Sequence, residues 1–413
     1  MGRRQVVVSA AALLTLVMGC GHLPPCPAAG GPGWTQLDSV HFRLRTDDDP
    51  TAARAMLADL EQLRAALLTV FGASPDVDIG RLSVVVVDRG WTDFAAREVD
   101  GYFTHVLFQP LIVMRAASQA FQLTLIKHEL VHYMSAKIVP KQPPWFSEGV
   151  ATYYQTIEYD ADTGRVIVGR PTNDLVRRAQ EVGVTNIESM FTAKTIDRDD
   201  APRFYAAAWI TVHYLMNHRA EALEGYERAL RGGATPDGAW MAAFGSQTQA
   251  QLASEIGNYV DGGRYEVRIY SLAASPLAPP VEGRLSDADV HAIRALLYLT
   301  GRGTRDTAPE LSLGTDDPKG AAKREVEEAL RAQADHVVAG ALAHFVFKAP
   351  VDVVQARHAA EAEPRDWLAW VLLADGLRLR GDQAGGNAAA LRAAEAANAD
   401  PSVKLPFVVV ERN

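Results

Sequence analysis

His128-Glu129-Leu130-Val131-His132 lies within a stretch, 118–137, that contains neither glycine nor proline, and its reading decides the fold around it. Phe121, Leu125, Ile126, Leu130, Val131, Tyr133 and Met134 recur there at helical spacing, so a mostly buried helix is predicted. Positions i and i+4 of a helix share one face, which lets His128 and His132 aim two imidazole nitrogens at one zinc ion. Glu129 is turned one position along, suited to hold a water beside the metal and act as general base. Two imidazoles and a carboxylate in an apolar helix are costly to desolvate, and a divalent cation supplies one partner for all three.

The third ligand is sought downstream, in Gln142-Pro143-Pro144-Trp145-Phe146-Ser147-Glu148-Gly149-Val150-Ala151-Thr152-Tyr153-Tyr154. This reads as a proline-rich turn, Ser147 as N-cap, and a second helix carrying Glu148. A carboxylate here completes a His-His-Glu set and leaves the fourth position to water or substrate, as catalytic zinc requires. Taken alone, Glu148 is also a first-turn acid of the kind that the helix dipole favours.

Together the two segments resemble the gluzincin metallopeptidases, and within them the bacterial peptidase-MA-like family. Residues 34–44 resemble that family's opening strand, 57–71 its first helix, 82–87 its next strand, and Gly101-Tyr102-Phe103 the motif before its edge strand. Phe204-Tyr205-Ala206-Ala207-Ala208-Trp209 and Ala243-Phe244-Gly245 resemble its later helical segment, so the likeness spans residues 34–260. It implies an α+β fold with a zincin-like catalytic domain and a peptide or protein substrate. His128, His132 and Glu148 would then be the zinc ligands, and Glu129 the base and later the proton donor to the leaving amine. Many gluzincins place an acid four residues beyond the ligand Glu, bonded to a ligand His; here Thr152 stands there, with a weaker hydroxyl. Tyr205 is the first choice for an oxyanion donor, with Tyr154 and His213 as substitutes. The stretch 106–114, apolar but for Gln109 and Pro110, is either an edge strand that pairs with an extended peptide or a core strand.

At the amino end, Arg3 and Arg4 precede an apolar run over 6–18, too short to span a bilayer comfortably, which predicts a cleaved leader. Val17-Met18-Gly19-Cys20 resembles a bacterial lipobox, implying loss of residues 1–19, lipidation of Cys20, and a membrane anchor in the cell envelope. Ordinary signal cleavage would instead leave Cys20 and Cys26 able to form a disulfide. Residues 20–33, rich in proline and glycine, read as a tether.

The formal net charge of -9 gives no indication of a broad basic surface, so nucleic acid is not an expected partner. With 48% hydrophobic residues over 413 positions, two domains are expected: 34–270, then a linker at 271–283 with three prolines, then a helical region at 284–413. Helical patterns fall at 287–298, 323–334, 337–347 and 351–361. Trp367-Leu368-Ala369-Trp370, Gly376, Gly381, the alanine-rich 388–397 and Asp400-Pro401 resemble a tetratricopeptide repeat; a plain helical bundle is the alternative. Such a region would dock a protein partner or select substrates. Two other readings of the whole chain are a binding scaffold with a structural metal and a zinc amidase acting on a non-peptide bond.

Overall fold

The computed structural model describes residues 23–74, 77, 80–97, 100–116, 119–139, 141–160, 163–196, 200–272, 277–301 and 317–398, with the side chains of 119–123 and 398 left out. The leader expected over 1–19, Cys20 and Pro401 lie outside the described residues.

The chain is mixed α/β. Strands β1 (Thr35–Asp38), β2 (Phe42–Thr46), β3 (Leu82–Val87), β4 (Gly101–Val106) and β5 (Gln109–Arg115) belong to one six-stranded sheet; β6 (Glu158–Asp160), β7 (Arg165–Val168) and β8 (Arg268–Ser271) form a second, and β9 (Val281–Arg284) returns to the first. The order across the large sheet is β4-β5-β3-β2-β1-β9, with β2, β3 and β5 mutually parallel and the other pairings antiparallel. Helices α1 (Pro50–Val70), α2 (Trp91–Phe94), α3 (Gln119–Ile138) and α4 (Pro144–Tyr154) are interleaved with the strands. A helical layer follows: α5 (Asn173–Glu181), α6 (Val184–Thr192), α7 (Ala201–His218), α8 (Ala220–Arg231), α9 (Pro236–Phe244) and α10 (Gln249–Gly262).

Four consecutive valines in β3 leave no polar face, the pattern of a strand covered on both sides. Val84 and Val86 enter a core shared with α1, α3, α4 and α7, while Val85 and Val87 enter a second core on the reverse of the sheet. The second core is built by α11 (Asp287–Thr300) and α12 (Pro318–Ala332), through Val290, Ile293, Leu297 and Val326. Beyond them come α13 (Val337–Ala341) with a π turn over Leu342–Val346, then α14 (Val353–Ala362), α15 (Trp367–Leu379) and α16 (Gln383–Asn398). Helices α15 and α16 pack against each other, and Gly376 lies where a Cβ would strike Val351 at 2.7 Å.

Several expectations are corrected. The tether over 20–33 is docked from Leu23 onward: Leu23 and Cys26 are 7% and 5% exposed in the second core, and the Leu23 amide donates to Asp93 at 3.2 Å. Both side chains are buried in that core, the Cys26 sulfur 3.5 Å from His291 of α11, and that burial outweighs the flexibility of the surrounding proline and glycine. Burial pushes the Cys26 thiol up to about 11, and it is a free cysteine. The linker over 271–283 does not separate two bodies, because its end forms β9, paired antiparallel with β1. The single opening strand expected over 34–44 is split into β1 and β2. Of the two readings of 106–114, the core strand is the one found from Gln109 on: β5 lies between β3 and β4, with five of its residues buried, and β4 is the edge. Ser147 is not an N-cap, because the helix starts at Pro144, whose fixed φ and missing N–H suit the first helical position.

The β4–β5 hairpin turns at Leu107 (φ 45°) and Phe108 (φ 67°), a left-handed conformation that is costly for bulky side chains. The Phe108 ring packs edge-on against Phe345 at 5.4 Å and Trp367 at 6.4 Å, contacts that offset the strain.

Gly149 sets how closely α4 approaches α7: a Cβ there would lie 2.5 Å from the Ala208 carbonyl oxygen and 2.6 Å from Val212. Gly149→Ala therefore forces two backbones apart despite the better helix propensity of alanine. The expected cost is about 2 kcal/mol, read as a lowered midpoint in thermal or urea unfolding.

Candidate metal centre

The predicted helix is α3, and it carries His128 and His132 on the face turned toward α4. Helix α4 brings Glu148 to the same point. His128 Nε2 and His132 Nε2 lie 3.0 Å apart, and Glu148 Oε2 lies 3.3 Å from each. Four donors arranged tetrahedrally around zinc at its usual bond lengths are about 3.3 Å apart, so this triangle has the size of one face of such a site.

The protons point the same way. His128 Nδ1 faces the amide oxygen of Gln155 at 3.1 Å, which can only accept, so that nitrogen carries the hydrogen and Nε2 a lone pair. His132 Nδ1 lies 3.1 Å from the Ser147 hydroxyl, which can take its hydrogen in the same way. Glu148 Oε2 is buried and makes no hydrogen bond. Three lone-pair atoms thus converge with no donor between them, an arrangement that needs a cation. Burial works against charge on Glu148; where no metal ion fills the triangle, protons on the imidazoles take its place, and their donation to the carboxylate holds it down to about 2.

Glu129 is not part of that triangle. It lines a small crevice with Gly101, Ile112 and Leu125, between α3 and the edge strand β4. Burial raises its carboxyl above the usual range, which the adjacent histidines only partly reverse. A carboxylate so placed is a better proton acceptor near neutral pH.

Tyr205, on α7, is 36% exposed, and its ring centroid is 6.4 Å from that of His128. Burial raises its hydroxyl, and the Glu148 and Glu129 carboxylates add to the shift, which places the phenol within their field. The two substitutes are elsewhere. Tyr154 is 2% exposed and packs edge-on against Phe71. His213 is fully buried, donates from Nε2 to the Gly169 carbonyl at 2.9 Å, accepts at Nδ1 from Tyr259 at 2.9 Å, and is pushed down to about 4 by burial.

Thr152, anticipated as a partner of a ligand histidine, makes no hydrogen bond through its buried hydroxyl. Gln155 takes that place. It follows Glu148 by seven residues, two turns along the same helix face, and its longer side chain reaches His128 where a threonine cannot. The i+7 spacing was the available signal.

A second cluster, Cys26, His291 and Glu325, also brings ligand-type atoms together. There Glu325 is paired with Arg294 at 2.8 Å and with His291 at 2.6 Å, so its charge is already compensated. No protein-family model matches the chain and no curated protein matches it, so the functional argument rests on the geometry of the His128, His132 and Glu148 centre.

Proposed function

We propose that the chain is a zinc-dependent peptidase with a zincin-like catalytic domain of the gluzincin type, hydrolysing peptide bonds. The observation that carries this reading is the convergence of two Nε2 lone pairs and an unbonded Glu148 oxygen, with Glu129 beside them at the edge strand. Zinc bound to His128, His132 and Glu148 would supply Lewis acidity to a water and to the substrate carbonyl. Glu129 takes the proton of the attacking water and returns it to the leaving amine. The Tyr205 hydroxyl donates to the developing oxyanion. Strand β4, the free edge of the sheet beside Glu129, offers main-chain groups for an extended substrate. The leader and Cys20 would deliver and anchor this activity at the bacterial cell envelope, with the repeat-like helices available to a protein partner.

The test is metal content and cleavage of an unfolded protein by the purified chain. One zinc per chain with chelator-sensitive cleavage is expected; a chain that takes up no zinc sinks the proposal. Zinc without cleavage would shift the balance to a binding scaffold or a non-peptide amide. Because Gln155 fixes the tautomer of His128, Gln155→Leu should weaken zinc about 10–100-fold in competition with a chelator, and Thr152→Val should leave it unchanged.

A further inference from the structure

The reverse side of the large sheet carries a groove of about 1210 Å³, walled by β2, the β4–β5 turn and the start of α15. In β2 the alternation sends Phe42 and Leu44 into the first core and turns Arg43 and Arg45 the other way, onto the groove floor. Leu111, Trp367 and Trp370 supply apolar surface to the same space.

Of the two arginines on that floor, Arg43 has an acid partner and Arg45 has none. Arg43 Nε donates to Asp38 at 2.8 Å, and the other oxygen of Asp38 accepts from the Gln36 amide at 2.9 Å. Arg45 Nε donates only to the Gln36 oxygen, at 2.9 Å, so a neutral amide stands between Arg45 and the nearest acid of the strand pair. Among the described residues no carboxylate lies within ion-pair distance of Arg45. Its guanidinium is lowered to about 10, by burial first and then by Arg43, with Asp289 and Asp38 offsetting part of this. The acids on the opposite wall are otherwise occupied or out in solvent: Asp366 caps α15 through the Leu368 and Ala369 amides, Glu395 pairs with Arg392 at 3.1 Å, and Glu361 and Glu363 are exposed.

We propose that this groove binds an amphipathic anion, its carboxylate or phosphate head on Arg45 and Arg43 and its apolar body against Trp367, Trp370 and Leu111. A half-buried guanidinium without an ion-pair partner is costly, and a bound oxyanion with bidentate geometry compensates it. The apolar wall facing the arginines selects a ligand with an uncharged body over a bare ion. The site is on the other side of the sheet from His128, His132 and Glu148, so it stands or falls independently of the metal.

The probes are decanoate, decyl phosphate and decanol, each titrated against the full chain carrying a fluorescent anilinonaphthalene sulfonate, with thermal unfolding alongside. The anions should displace the dye and raise the melting temperature while decanol does neither, and the tighter of the two anions identifies the head group. Arg45→Gln should weaken the anion by about tenfold or more, and Arg45→Lys, which keeps the charge but not the bidentate fork, should fall between Arg45→Gln and the wild type. Equal displacement by decanol and the anions on the wild-type chain overturns the proposal without recourse to a variant. So does undiminished anion binding by a folded Arg45→Gln chain.

Discussion

Glu129→Gln is expected to bind zinc as the wild type does and to lose peptide hydrolysis by a factor of about 10²–10⁴. The amide is isosteric with the carboxylate, and Glu129 stands outside the triangle of His128, His132 and Glu148, so the metal site is left in place. What disappears is the proton acceptor. Glutamine cannot take a proton from water, and the other carboxylate that lines the crevice, Asp100, is already paired with Arg115 at 3.6 Å, so the raised carboxyl of Glu129 is not replaced. The measurement is a pair: zinc by competition with a chelator, and turnover of a peptide at saturating metal. Loss of both together would place Glu129 among the ligands, and retention of both would remove it from the chemistry.

Glu148→Ala is expected to do the opposite and lose the metal. It removes the only negative charge of the ligand triangle and leaves two imidazoles facing one another at 3.0 Å. Orienting partners of ligands are worth about 10–100-fold in affinity, and deletion of a ligand should exceed that range. Folding should be largely retained, because the aromatic packing that holds α4, Trp145 against Phe191 and Tyr226, is untouched. Wild-type zinc affinity in Glu148→Ala would refute the ligand assignment.

The candidate ligand triangle was legible because it depends on local periodicity: i and i+4 on one helix, then a carboxylate opening the next. The orientation of those ligands was only partly legible. Ser147 was read as a helix cap and Gln155 was not singled out, since what they touch is decided by the angle at which α4 crosses α3, a tertiary quantity. The same limit explains the strands. The four valines of β3 announced burial on both faces, but which strand lies at the edge depends on pairing order, and 106–114 reads the same from either position. The docked segment from Leu23 to Gly33 was hidden by its composition, because proline and glycine record chain flexibility and say nothing of a distant helix that receives Leu23 and Cys26.

The return of β9 to the side of β1 has a consequence for how the molecule comes into being. Between these neighbouring strands, 242 positions of chain intervene from Asp38 to Val281, a long-range closure of the kind that slows folding. While the chain emerges from the ribosome, the sheet has an unpaired rim at β1, and Val85, Val87, Leu111 and Val113 face solvent until α11 and α12 follow. The half that carries His128, His132 and Glu148 therefore matures last although it is synthesised early, and a chain truncated near residue 270 would expose that valine face and tend to aggregate.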